Sequence, residues 1–207
     1  PFIFLNDCNY IGKMEMKTMQ YILASASPRR LALLRQIGIE PRVRHSNFSE
    51  AADEGFSAAE LVRLNSLGKA RAVAENISDE EVVIAADTVV VLDGKVIGKP
   101  EDEDDAKRIL AALSGREHSV ITGVTVICGE RVLVDAVTTT VRFRKLSDEE
   151  ISGYVASGEP LDKAGAYGIQ GRGVLLVEAI EGCYSNVVGL PLVRLGEMLA
   201  KIGVRLL

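Results

Sequence analysis

One carboxylate, Asp87, stands inside an apolar run from Val82 to Leu92 that only it and Thr88 interrupt. A run so rich in Val and Ile, bounded by Glu81 and the Asp93-Gly94 turn signal, reads as a buried β-strand. A charge there is costly unless it is paired or binds a cation. Two readings are open from this stretch alone: an Asp at a strand bend bonded to nearby backbone, or an ionisable group at a functional site. Three basic loci bear on the choice. Ser25 to Arg30, SASPRR, follows a short apolar strand at Tyr21–Ala24 and leads into a helix. Pro28 suits the first helical turn, with Ser27 as the cap before it. Free backbone N–H groups at such a turn attract anions, and Arg29 and Arg30 add full charge. The same hexapeptide also fits an ordinary capped helix with two solvated arginines. Lys69 lies four residues beyond Asn65 on a predicted helix, so the two share a face. Lys99 follows a hairpin that turns back toward the Asp87 end of its strand. Lys163 sits in Ser157–Gly173, which holds five glycines and one proline in 17 residues. Long irregular loops in compact domains are commonly functional, and Tyr167 and Gln170 give this one further polar groups.

Cations set beside the carboxylates Glu50 and Asp87 are what polyphosphate chemistry needs. Arginines, lysines and backbone N–H groups neutralise phosphate oxygens. Carboxylates hold a divalent cation or activate a water. The sequence lacks G-x-x-x-x-G-K-[ST] and has no G-x-G-x-x-G at a strand-to-helix turn. Neither a Walker-type phosphate loop nor a Rossmann dinucleotide site is therefore expected. No G-x-S-x-G elbow occurs, which removes that hydrolase signature as well.

Composition narrows the class further. The 207 residues suffice for one compact domain or two lobes sharing a core. Apolar residues at 47% and charged residues at 26% are ordinary for a globular protein. A net charge of −5 and 5% aromatic residues argue against a general nucleic-acid surface or a stacking-based RNA reader. No apolar run approaches the roughly 20 residues that span a bilayer, so no membrane association is expected. Cys8, Cys128 and Cys183 are odd in number and far apart. They form neither a disulfide framework nor a metal knuckle, and a cytoplasmic location fits. His45 and His118 are isolated, so any metal should be a hard cation on oxygen ligands.

The elements that must position these residues follow from pattern and punctuation. Residues 1–18 are expected to be a poorly ordered extension, and 19–207 a single domain. Arg42–His45 reads as a short strand, and Ser46–Gly55, with Glu50, Asp53 and Glu54, as a loop. Ser57 with Glu60 is a capping box that opens a helix to about Asn76, and Ser147 with Glu150 opens another to Ala156. Asp93-Gly94 signals a tight hairpin. A helix at Asp104–Leu113 is followed by the paired strands His118–Ile127 and Arg131–Phe143. A strand at Val174–Ile180, a second, optional strand at Tyr184–Val188 and a helix at Pro191–Lys201 complete the chain. Hairpins mixed with crossovers predict an α/β fold, a mixed sheet flanked by helices.

Five motifs then carry a resemblance. SASPRR at Ser25–Arg30, AADT at Ala85–Thr88, GKP at Gly98–Pro100, LSGREHSVITGV at Leu113–Val124 and SGEPLDKAGAYGIQG at Ser157–Gly171 resemble, in order, the Maf family. Its members are nucleoside triphosphate pyrophosphatases first associated with inhibition of septum formation. The resemblance runs from about Gln20 to the C-terminus, and residues 1–18 have no counterpart in it. It implies an elongated, curved mixed sheet with two lobes around a central cleft, similar to the inosine triphosphatase fold, and a homodimer. It implies a cut between the α- and β-phosphates of a nucleoside triphosphate. Asp87 matches the catalytic proton acceptor, with Lys69 and Lys99 beside it. Glu50 matches a carboxylate that, with Asp87, binds a divalent cation (Mg2+, Mn2+ or Co2+). Ser25, Arg29 and Lys163 match polar positions around the triphosphate.

Arg30, Thr88 and Gln170 match the positions that select the base in the dTTP/UTP-directed subfamily. The 7-methyl-GTP-directed members differ at all three. A Gln amide supplies a donor and an acceptor, which suits the N3–H and a carbonyl of uracil or thymine. The expected function is hydrolysis of dTTP and UTP, with modified pyrimidine nucleotides as house-cleaning substrates. A non-catalytic nucleotide-binding regulator of cell division is the alternative. Adjacent side chains on a strand point to opposite faces. A bend, bulge or strand end is therefore expected at Asp87–Thr88, to aim both into one cleft.

Overall fold

The computed structural model describes residues 19–51, 55–75, 77, 78 and 80–207. The extension expected over 1–18, and also Asp53, Glu54 and Asn76, lie outside the described residues. Strands β1 (Gln20–Leu23), β2 (Arg42–Val43), β3 (Glu81–Leu92), β4 (Lys95–Ile97), β5 (Glu117–Cys128), β6 (Arg131–Phe143) and β7 (Val177–Glu181) form one open mixed sheet. Its order is β2-β1-β3-β5-β6-β7, with β4 on the β1 side of β3. The crossover strands β2, β1 and β3 are parallel, and the hairpins are antiparallel. Helices α1 (Pro28–Gln36), α2 (Ala58–Ala74), α3 (Glu103–Leu113), α4 (Asp148–Val155), α5 (Tyr184–Val188) and α6 (Leu192–Lys201) flank it.

Local chemistry accounts for most of these boundaries. Both capping boxes form, Ser57 with Glu60 and Ser147 with Glu150. Asp93 and Gly94 take φ of 51° and 76°, as a two-residue hairpin turn requires. The Ser27 side chain, by contrast, makes no cap at α1. Its backbone N–H donates to Ser25 Oγ at 3.2 Å instead.

Strand alternation divides β3 between two environments. Val83, Ala85 and Val89 face α2, packing with Ala70, Val73, Leu61 and Val62. Val82, Ile84 and Ala86 face α1 and α6, whereas Val90 and Leu92, on the same face, pack with α3 and α4. Thr88 separates those two clusters. The helix α2 lies unusually close to the sheet at Gly123: a Cβ there would fall 2.1 Å from the Val62 carbonyl oxygen.

Three expectations are corrected. Residues Gly171–Leu176 form a 3-10 turn, and the strand starts only at Val177. Gly173 is packed so closely that a Cβ there would fall 2.1 Å from the Gly168 carbonyl oxygen and 2.7 Å from the Tyr154 hydroxyl. Tyr184–Val188 is a helical turn rather than a strand. Asn186 at its centre is buried, and its amide donates to Val120 O and Thr139 Oγ1, both at 3.0 Å. Finally, β3 does not bend at Asp87–Thr88. It pairs regularly with β5 from Val82–Cys128 to Val91–Ser119, through Asp87–Gly123 and Thr88–Thr122.

Candidate active site

The straight strand still delivers both side chains to one cleft, because the cleft lies over an open edge. On that side of β3, pairing with β1 ends at Ile84, whose carbonyl accepts the Ala24 N–H at 2.8 Å. Pairing with β4 begins at Val90. Between them no strand among the described residues covers Ala85 to Val89, so groups on either face can reach around the edge. A cleft of about 740 Å³ occupies this gap, within the range of small-molecule sites. Every candidate residue from the sequence lines it: those of the Ser25–Arg30 turn, Glu50, Lys69, Asp87 with Thr88, Lys99, and Lys163 with Gln170.

On the α2 face, Asp87 is buried and doubly held. Its Oδ1 accepts from Lys69 Nζ at 2.6 Å and its Oδ2 from Asn65 Nδ2 at 3.2 Å. Asn65 and Lys69 are one helical turn apart, so α2 presents both to the strand. Lys69 Nζ also lies 2.6 Å from Glu50 Oε1. Two carboxylates thus converge on one ammonium. No group of three or more potential metal ligands occurs among the described residues. A pair of carboxylates nevertheless fits a hard divalent cation that takes its remaining ligands from substrate phosphates and water.

On the opposite face Arg30 governs the arrangement. Its Nε donates to the Gly189 carbonyl at 2.8 Å, its Nη1 to Ser25 Oγ at 3.1 Å and its Nη2 to Thr88 Oγ1 at 3.0 Å. Burial pulls the guanidinium pKa down while Asp87 pulls it up, and such a group stays charged at neutral pH. Thr88 Oγ1 lies 3.0 Å from Thr122 Oγ1, which in turn donates to the Asn186 carbonyl at 3.0 Å. Arginine is a donor only. The chain therefore has one direction: Arg30 to Thr88 to Thr122 to Asn186. Thr88 has spent its proton inward and keeps a lone pair for the cleft. Arg30 has three of its five N–H groups engaged and two left.

The rim is cationic and cross-linked. Asp162 accepts from Arg29 Nη1 at 3.2 Å and from Lys163 Nζ at 2.6 Å, which ties the first motif to the last. Burial opposes ionisation of Asp162, but Lys163 and Arg29 outweigh it and hold the carboxyl below its ordinary value. Lys99 and Gln170 are both exposed at the cleft mouth. The loop carrying Lys163 and Gln170 is pinned from beneath. Tyr167 Oη lies 2.7 Å from His118 Nε2, and the Gly168 N–H donates to Tyr154 Oη at 3.2 Å. Gly165 sits so tightly that a Cβ would meet Val90 Cγ2 at 2.7 Å.

Sequence reading did not single out Thr122, Asn186, Gly189 or Asp162, and it noted Asn65 only as a neighbour of Lys69. Asn186 carried a usable signal, a lone amide within an apolar stretch. Thr122 carried none, since threonine is ordinary in strands.

A family model described as "Maf-like protein" matches residues 20–202. The chain is 54% identical over 191 residues to the "dTTP/UTP pyrophosphatase" of Dictyoglomus turgidum, covering 91% of this chain and 98% of that one. It is 51% identical to the protein of the same name from Dictyoglomus thermophilum, with the same coverage. Among solved structures, a Staphylococcus aureus Ham1 protein is similar with a TM-score of 0.43 and 16% identity, over 60% of this chain and 71% of that one. The family model spans nearly all the described residues, and these relatives are about half identical along nine-tenths of the sequence: the chain belongs to the Maf family.

Proposed function

We propose that this protein hydrolyses dTTP and UTP to the nucleoside monophosphate and pyrophosphate. The names of its half-identical relatives support the reaction. The observation that carries it is the two-sided edge of β3, with Asp87 on one face and the Arg30–Thr88 pair on the other. Uracil and thymine present acceptor, donor and acceptor along O4, N3–H and O2. Two spare Arg30 N–H groups suit the carbonyls, and the Thr88 lone pair suits N3–H. Gln170, at the mouth, can supply either partner.

The triphosphate then lies toward Arg29, Lys163, Lys99 and the N-terminus of α1, where cations and free N–H groups neutralise it. Asp87, fixed by Lys69 and Asn65, orients a water and takes its proton as the oxygen adds to the α-phosphorus. The α–β bridging bond breaks, and pyrophosphate leaves with its charge held by the lysines and Arg29. A divalent cation bound by Glu50 and Asp87 would supply further neutralisation of phosphate charge.

The deciding experiment measures pyrophosphate release from UTP, dTTP, CTP, GTP and modified pyrimidine nucleotides with Mg2+, Mn2+ or Co2+. UTP and dTTP should lead, and Asp87→Asn should lose most of the turnover. Tight UTP binding without pyrophosphate release would point to the regulator instead.

A further inference from the structure

Gly68 lies in the interior of α2, where glycine is the poorest helix former short of proline. Its φ is not in the left-handed region, so no backbone demand explains it. Its neighbour does. A Cβ at this position would fall 2.3 Å from Cε2 and Cζ of Phe48, a distance no packed pair tolerates. The Phe48 ring forms one wall of a shallow open groove whose other walls include Leu64, Leu67 and Ala72 of α2. Two residues on, Glu50 meets Lys69 Nζ at 2.6 Å, and the Ala51 N–H donates to Asn65 Oδ1 at 2.8 Å. The three contacts use Asn65, Gly68 and Lys69, which fall on one stripe of α2. A loop that carries a candidate cation ligand is thus laid along the helix by a backbone bond, a ring and an ion pair.

We propose that Phe48 seated on Gly68 is a positioning pair that holds Glu50 opposite Asp87 and so sets the affinity for a divalent cation. The proposal rests on the reading of Glu50 and Asp87 as the cation-binding pair. The Glu50 side chain is 60% exposed, and exposed ion pairs alone hold a side chain weakly. The ring supplies a second apolar anchor on the far side of Glu50 from Ala51, which packs against Leu61 and Val62. Its seat needs a residue without a Cβ, which outweighs helix propensity at this one position.

The test titrates Mn2+ into the nucleotide-free protein, followed by electron paramagnetic resonance, with thermal midpoints measured alongside. Gly68→Ala should bind Mn2+ about tenfold more weakly, the low end of the loss when an outer supporting group is removed. Its midpoint should be unchanged or higher, since alanine favours the helix. Phe48→Ala should show a similar loss, and the double variant no further loss, because both changes break one contact. Wild-type affinity in Gly68→Ala would overturn the proposal, as would a Gly68→Ala effect that persists in full when Phe48 is already alanine. Failure of the wild type itself to bind Mn2+ would instead overturn the reading of the carboxylate pair, and the proposal with it.

Discussion

Gly123 is the direct cross-strand partner of Asp87, and Gly123→Ala tests whether the depth of α2 controls the reaction. The new Cβ would lie 2.1 Å from the Val62 carbonyl oxygen, 2.4 Å from its carbon and 2.9 Å from Arg63 N. All three are backbone atoms, so no rotamer change relieves them. Non-bonded heavy atoms settle near 3.5 Å, so α2 must retreat by about 1 Å or more. Asn65 and Lys69 retreat with it. The 2.6 Å contact from Lys69 to Asp87 then opens beyond hydrogen-bonding range. Overpacking of this kind costs about 1–3 kcal/mol of stability. A misplacement of about 1 Å near the chemistry costs about a hundredfold in rate. Pyrophosphate release from saturating UTP should therefore fall about a hundredfold at a temperature where circular dichroism shows the variant still folded. A folded Gly123→Ala enzyme with kcat within about twofold of wild type would refute the reasoning, since it would mean that Asp87 does not depend on α2 for its placement.

Two further outcomes are expected. Burial lowers the His118 pKa from 6.5 to about 4. The unfolded chain therefore takes up a proton that the native state refuses; the stability is fully present above about pH 6.5 and is lost as pH falls toward 4. Urea melts should show about 2 kcal/mol less stability at pH 5 than at pH 7; the same loss in His118→Gln would disprove the assignment. Thr122→Val removes the acceptor for the Thr88 proton, which can then turn toward the base and bond a cytosine N3. The UTP-over-CTP ratio of kcat/KM should drop about tenfold, the value of one modest hydrogen bond, and an unaltered ratio would count against the one-directional chain.

Much of the fold could be read in advance wherever a signal is local. Ser57 with Glu60, Ser147 with Glu150 and Asp93-Gly94 act within a few residues, and each formed where expected. The apolar run of β3 declared itself because both its faces are covered. Errors fell where distant residues decide. Gly173, within Gly171–Leu176, packs against Gly168 and Tyr154, and Asn186, within Tyr184–Val188, bonds to β5 and β6. The bend expected at Asp87 followed from correct alternation but assumed that a cleft opens on one face of a sheet. Where β1 stops and β4 has not begun lies outside the local sequence of β3.

That gap has a consequence for how such a protein can change. Asp87 answers to α2 on one face, whereas Thr88 answers to Arg30 and Thr122 on the other. One peptide bond separates the two tasks, yet their supporting residues do not overlap. On the roles proposed for these residues, substitutions around Thr88 should retune the choice of nucleobase and leave the supports of Asp87 in place. A new preference can then be evolved or engineered by exchanging a few side chains on one side of a single strand.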